Sequence, residues 1–217
     1  MSETIHIMAG GPINLIPKDL FRDDKQKVWI GVDRGVQYLI EHGIIPDFAV
    51  GDFDSVSPEE WNAIKEHVDG VSRFKPEKDE TDMELALLWA IKQNPSTIRI
   101  YGASGGRLDH FMANALMLAH FKQLYPRVHF ELSDIQNSIS VYVPGTFDIH
   151  RNDRKRYVSF IPLSPKVSGI TLRGFKYPLT GKTVPFGSSL CISNELKEHT
   201  GTFSFENGIL MMIRSQD

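Results

Sequence analysis

The apolar pattern of this chain changes once along its length, and that change constrains the fold more than any single motif does. Up to about Gln136, short β-rich runs alternate with helical patterns. Residues 5–9, 28–32, 48–50, 98–101 and 128–132 read as strands. They end at Gly10-Gly11-Pro12, Asp33-Arg34-Gly35, Gly51-Asp52, Gly102 and Ser133-Asp134. Between them, Val36, Leu39 and Ile40 share a helical face that Gly43 would stop. Ser57-Pro58-Glu59-Glu60 and Thr81-Asp82-Met83-Glu84 read as capping boxes. The second opens a run with Met83, Ala86, Leu87, Ala90 and Ile91 on one side, and residues 108–125 give a further helix. Alternating strands and helices demand a mostly parallel sheet with helices on both faces. Beyond Gln136 the helical period disappears. Residues 139–143, 147–149, 157–161, 169–172, 190–192, 202–205 and 209–213 read as short strands, with Pro144-Gly145, Asn152-Asp153, Thr180-Gly181 and Asn207-Gly208 as punctuation. That texture implies an antiparallel β-sandwich or barrel. The expected fold class is therefore α/β followed by all-β, with domains at 1–135 and 136–217.

Composition narrows the partners. The 217 residues are 41% hydrophobic and 24% charged, enough for one large core or two modest ones. A net charge of -3 provides no basic surface for nucleic acid. No apolar stretch is long enough for a bilayer, so no membrane partner is expected. Met1-Ser2-Glu3-Thr4 lacks the features of a secretion signal, so the expected location is the cytosol. Cys191 is the one cysteine, read as a buried thiol.

Four aspartates lie in two short clusters, Gly51-Asp52-Phe53-Asp54-Ser55 and Lys78-Asp79-Glu80-Thr81-Asp82. Two carboxylates about 4 Å apart repel by roughly 4 kcal/mol at a surface dielectric. Convergence of such groups calls for a hard cation, and Mg²⁺ is commonly held by one or two carboxylates with substrate phosphates completing its shell. Asp52 and Asp54 would share a face of an extended segment. Asp82 falls in a first helical turn, where the dipole favours the ionised form. Turn-making and dipole compensation explain each aspartate taken alone. Together with Gly10-Gly11, Asp33-Arg34 and residues 102–107, however, they fall beyond the carboxyl ends of strands, where open parallel sheets bind ligands. The glycine loops let backbone amides approach a phosphate, although neither fits a Walker or dinucleotide pattern. Arg34, Lys78 and Arg107 offer cations for a transferring phosphoryl group. Asp109 or His110 could accept a hydroxyl proton or orient the acceptor, or else serve as a helix-start aspartate and a packed histidine.

Taken in order, Gly51-Asp52-Phe53-Asp54-Ser55, Lys78-Asp79-Glu80-Thr81-Asp82, Gly105-Gly106-Arg107-Leu108-Asp109-His110 and Ser193-Asn194-Glu195 resemble the thiamine pyrophosphokinases. Ala9-Gly10-Gly11 and Val32-Asp33-Arg34-Gly35 look like that family too. The resemblance implies diphosphate transfer from ATP to the hydroxyl of thiamine, giving thiamine diphosphate and AMP. It also implies an α/β domain followed by a β-sandwich, in a homodimer. Carried over, Asp52, Asp54 and Asp82 would hold Mg²⁺. Asp33, Arg34, Asp79 and Arg107 would line the nucleotide and phosphate site, with Gly10, Gly11 and Lys78 beside them. Asp109 and His110 would lie near the reacting hydroxyl. Ser193 and Asn194 would help to form a thiamine pocket drawn from both subunits. Two rivals remain: a Mg-dependent phosphohydrolase using Asp52 as nucleophile, and a non-catalytic nucleotide or thiamine sensor.

Overall fold

A computed structural model describes residues 4–22, 27–51, 71–73 (backbone only) and 79–217. The capping box at Ser57, Trp61, and the site candidates Asp52, Asp54 and Lys78 lie outside the described residues. The chain forms two compact units, one from residues 1–117 and 132–135, the other from 118–131 and 136–217.

In the first unit, β1 (Thr4–Met8), β2 (Val28–Val32), β3 (Phe48–Gly51), β4 (Val71–Arg73) and β5 (Thr97–Tyr101) pair in parallel in the order β5-β1-β2-β3-β4. The first two strands are buried along nearly their whole length, as expected where both faces of a sheet are covered. Helix α1 (Arg34–Glu41) packs on β1 and β2, and α2 (Asp82–Lys92) packs on β2 and β3. Thr81 caps α2 by accepting a hydrogen bond from the Glu84 amide at 3.2 Å, and Met83, Ala86, Leu87 and Ala90 are the buried face read from the sequence. Helix α3 (Leu108–Leu124) follows β5, and the division between the units falls within it. Strand β4 and the 3₁₀ turn Ile13–Leu15 were not legible in the sequence.

The second unit is a sandwich. One sheet has the antiparallel order β12-β9-β14-β7: Asn194–Glu195, Tyr157–Pro162, Leu210–Ser215 and Asn137–Tyr142. The other runs β11-β10-β13-β8: Leu179–Pro185, Lys166–Arg173, Thr200–Phe205 and Gly145–His150. Strand β13 alternates strictly, sending Gly201, Phe203 and Phe205 inward. Phe203 is 1% exposed and meets the rings of Phe147, Tyr142 and Phe160 at 5.1, 4.9 and 4.9 Å. Truncating such a phenylalanine costs roughly 3–5 kcal/mol.

Two expectations fail here for identifiable reasons. Residues 190–192 form a turn rather than a strand: the Ile192 amide bonds to the Ser189 carbonyl at 3.2 Å, and Ser193 adopts φ 56°. Only Cys191 of the three is buried. Conversely, Thr180-Gly181 does not separate strands but lies within β11. The register steps from Ile170↔Lys182 to Leu172↔Leu179, so the pair forms a bulge.

The core of the first unit contains a histidine. His6 is 5% exposed, with the Trp29 and Tyr101 rings at 4.9 and 6.0 Å. Burial above all, then the charges of Lys27 and Arg99, lowers its pKa from 6.5 to about 4. The neutral ring is therefore the folded form. Its contribution is fully present above about pH 6.5 and is lost as pH falls towards about 4, because the unfolded chain then binds the extra proton. The loss should reach on the order of 3 kcal/mol. Urea unfolding across that window should show it in the natural chain and not in His6→Phe; parallel pH curves for the two would disprove the linkage.

Candidate functional site

Strand order locates the crevice. From β1 the chain moves through β2 and β3 to β4, then returns to place β5 on the other side of β1. The connections from β1 and β5 thus leave in opposite directions, and open α/β sheets bind ligands at such a switch point, beyond the carboxyl ends of the strands. Gly10-Gly11 and residues 102–106 occupy those two ends.

Close backbone approach builds the rim. The Ala9 amide donates to the Tyr101 carbonyl at 2.9 Å, and the Gly11 amide donates to the Gly102 carbonyl at 2.7 Å. A methyl on Gly11 would stand 2.3 Å from that same oxygen, and one on Gly35 would stand 2.0 Å from the Met8 carbonyl oxygen. Only glycine lets α1 start this close to β1. The same packing sets the Arg34 Cβ 2.9 Å from where a Cβ on Gly10 would be, so Arg34 begins its exposed side chain at the glycine loop. Gly10, Gly11 and Arg34 are thus brought together.

Asp33 precedes α1 with φ 49° and ψ −123°, a strained conformation for a residue with a side chain. Its amide donates to the Val50 carbonyl at 3.0 Å, tying it to β3. Its Oδ1 lies 2.2 Å from where a Cβ on Gly51 would stand. A carboxylate therefore sits at the end of β3, one residue before Asp52 in the sequence. Asp82, half-buried, opens α2, and Asp79 is exposed just ahead of it.

Arg107 and Asp109 make a two-pronged ion pair, Nε to Oδ1 at 3.1 Å and Nη2 to Oδ2 at 2.6 Å, and the His110 amide also donates to Oδ1 at 2.9 Å. The side chains are 72% and 64% exposed, so the pair adds little stability. Its chemical effect is larger. The Arg107 hydrogen bond first, then the His110 amide, lowers the Asp109 pKa to about 2. A carboxylate that acidic is a poor proton acceptor near neutrality.

A contact within the rim was missed from sequence. Ser104, in the loop after β5, donates to Asp134 Oδ2 at 2.6 Å, with the residues 7% and 3% exposed. This bond fixes the glycine loop to the segment after β6 (His129–Ser133). Asp134 ended a strand run in the sequence, so its place on the rim was the available signal.

Ser193 and Asn194 belong to the second unit. Ser193 is exposed, and its amide donates to Ser159 Oγ at 2.9 Å. Asn194 is 3% exposed and grips one neighbour from both sides: Oδ1 accepts from the Tyr177 amide at 3.0 Å, and Nδ2 donates to the Tyr177 carbonyl at 2.8 Å. What that grip presents outward is the Tyr177 ring, 60% exposed.

Among the described residues no three His, Cys, Asp or Glu side chains are grouped to hold a metal. The donors expected to do so, Asp52, Asp54 and Asp82, are all carboxylates, the hard ligands Mg²⁺ takes, and of them only Asp82 lies among the described residues. The residues fit such an ion. Among the described residues no helix is long and apolar enough to cross a membrane.

Comparison with known proteins gives a consistent picture. Residues 22–130 match the family model for the thiamin pyrophosphokinase catalytic domain. Residues 146–210 match that for the thiamin pyrophosphokinase vitamin B1 binding domain. Thiamine pyrophosphokinase from Bacillus subtilis (strain 168) is 47% identical over 215 residues, covering 99% of this chain and all of the relative. Its crystal structure superposes with a TM-score of 0.89 at 46% identity, over 99% of this chain and 100% of that one. The enzyme from Geobacillus thermodenitrificans gives 0.88 at 46% identity, over 99% and 98%. A likeness to yeast thiamin pyrophosphokinase, at 12% identity and a TM-score of 0.74, extends the fold alone. With both units matched in order and nearly the whole length aligned, the chain belongs to the thiamin pyrophosphokinase family.

Proposed function

We propose that this chain is an ATP-dependent thiamine diphosphokinase: it moves the diphosphate of ATP to the hydroxyl of thiamine and releases AMP. The observation that carries this reading is the 47% identity to the Bacillus subtilis enzyme over 99% of this chain and all of that relative. The switch-point rim agrees with it physically, since glycine loops and cations gather where a polyphosphate would lie.

In this reaction the thiamine hydroxyl oxygen attacks the β-phosphorus. The bond from that phosphorus to the oxygen shared with the α-phosphorus breaks, AMP leaves with the electron pair, and the hydroxyl proton is released. Such transfer needs alignment and charge neutralisation more than covalent help. We assign Gly10, Gly11, Asp33, Arg34, Lys78 and Asp79 to the nucleotide and phosphates. Asp52, Asp54 and Asp82 would hold Mg²⁺, which when bound neutralises phosphate charge. Arg107 would meet the charge that develops on the transferred group. Its partner Asp109 keeps the guanidinium in place instead of taking the proton, as its low pKa favours. His110 would lie near the acceptor. Residues 136–217 would supply the thiamine end, with Ser193 beside it and Asn194 acting through Tyr177, whose exposed ring suits a flat heterocycle. We assign residues 1–135 to ATP and Mg²⁺, and place the protein in the cytosol as a homodimer whose thiamine site lies near the subunit interface. Exposed Leu108, Met112 and Leu116, spaced four apart on α3, offer an apolar stripe for such pairing.

Incubation with ATP, Mg²⁺ and thiamine, followed by phosphorus NMR, should give AMP and thiamine diphosphate in equal amounts. ADP with free phosphate would instead support hydrolysis, and binding without turnover would support a sensor. Asp82→Asn should lower turnover on the order of 100-fold, with partial recovery at higher Mg²⁺. Its unfolding free energy from urea titration should fall by about 1 kcal/mol through the lost helix-dipole interaction. Normal activity across Mg²⁺ concentrations would remove Asp82 from the ligand set. Asp109→Asn should raise the KM for ATP by roughly 10-fold, the effect of one weakened phosphate contact. It should leave the shape of the pH–rate profile intact; loss of one limb of that profile at constant KM would make Asp109 the base after all.

A further inference from the structure

Far along the chain from the glycine rim, the second unit has a concavity of about 270 Å³ lined by Arg151, Asn152, Asp153, Arg156, Glu195 and Arg214, among others. Arg151 and Arg156 flank the connection from β8 to β9, Arg214 comes from β14 and Glu195 from β12. Asn152 fastens the connection: its Oδ1 accepts from the Arg154 amide at 3.0 Å, and its carbonyl accepts from the Lys155 amide at 3.2 Å.

The charges around the concavity are unequally matched. Asp153 Oδ1 accepts from Arg151 Nε at 2.7 Å, and Glu195 is occupied by Lys176 at 3.0 Å. Arg156 bonds the Tyr157 hydroxyl and reaches the 85% exposed Asp217 at 3.4 Å, a pairing of little worth. Arg214 differs from both. Its Nη2 donates to the neutral His150 carbonyl at 2.6 Å, while its Nε is buried and makes no hydrogen bond among the described residues. A buried donor left without an acceptor costs roughly 1–3 kcal/mol, more when charged. Glu131 and Tyr142 act on this guanidinium only through space.

We propose that this concavity is a binding site for a phosphate group, with the half-buried Arg214 as its anchor and Arg151 and Arg156 as exposed clamps. A carboxylate offers one planar edge and would satisfy a single guanidinium fork. Phosphate offers oxygens in tetrahedral directions and can meet forks arriving from separate strands. The volume exceeds that of one phosphate, so a diphosphate or a small phosphate ester fits as well. Asp153, 82% exposed, is free to swing out and release Arg151 to the incoming anion. This inference does not rest on the proposed activity.

The experiment reads the arginine Nε–Hε signals by ¹⁵N-resolved NMR. Inorganic phosphate, diphosphate and glycerol 3-phosphate are titrated separately at constant ionic strength, with sodium chloride as control. The expected result is a saturable shift of the Arg214 signal, half-complete at or below about 1 mM. The preferred probe among the three distinguishes a free anion from an esterified one. Double substitution Arg151→Gln with Arg156→Gln should weaken that binding at least 10-fold. Both residues are more than half exposed, so the anion-free spectrum of the remaining residues should stay unchanged. No shift at Arg214, a shift that chloride reproduces, or equal affinity in the double variant would each overturn the proposal. Shifts confined to Arg107 would assign the anion to the glycine rim and overturn it equally.

Discussion

Close backbone approach at the rim of the parallel sheet is the constraint on which the rest depends. Helix α1 begins so near β1 that the Met8 carbonyl occupies the space a side chain on Gly35 would need. The β1 and β5 loops are joined by a hydrogen bond through Gly11, again with no space for a Cβ. These contacts bring Arg34 beside the glycine loop and Asp33 to the end of β3. Overpacking a fitted core by one methyl costs roughly 1–3 kcal/mol, and here the obstruction is backbone, which cannot rotate away. Fold and site share these glycines, so neither can change without the other.

The rim also shows how local pairing sets chemical roles. Asp109 and Arg107 are both solvent-exposed, and their ion pair contributes little to stability. Their mutual geometry still changes what chemistry each can do. A guanidinium held by two prongs remains a fixed positive charge, and the carboxylate that holds it is too acidic to take a proton near neutrality. Stability and acidity are separate effects of the same contact. Ser104 and Asp134 show the opposite case, a buried bond whose chemistry is silent but which fixes the loop carrying Arg107.

Much of the architecture was legible because burial leaves a period in the sequence. Fully buried strands such as β1 and β2, and the capped amphipathic face of α2, each have a physical signature that a reader can count. Residues 190–192 carry the apolar character of a strand, but only Cys191 is buried and Ser193 turns the chain with a positive φ. Strand β11 was hidden by Gly181, a turn signal in sequence that serves as a bulge in the sheet. Strand β4 has only three residues, too few for any period. In the site, the positions of Gly10, Gly11 and Arg34 followed from where strands end. The Ser104–Asp134 bond joins residues 30 apart, and the grip of Asn194 on Tyr177 spans 17, so neither leaves a local trace.

The bulge in β11 has a consequence for how the protein behaves in company. This strand is the outermost of its sheet, and a straight outer strand presents a ladder onto which another molecule's strand can add. Here the ladder is broken at Thr180-Gly181, and Lys182 follows at an exposed position. A would-be guest strand meets a kink and a charge where it needs evenly spaced partners. The irregularity that concealed the strand from the sequence reader thus helps to keep crowded copies of the folded chain from zipping together.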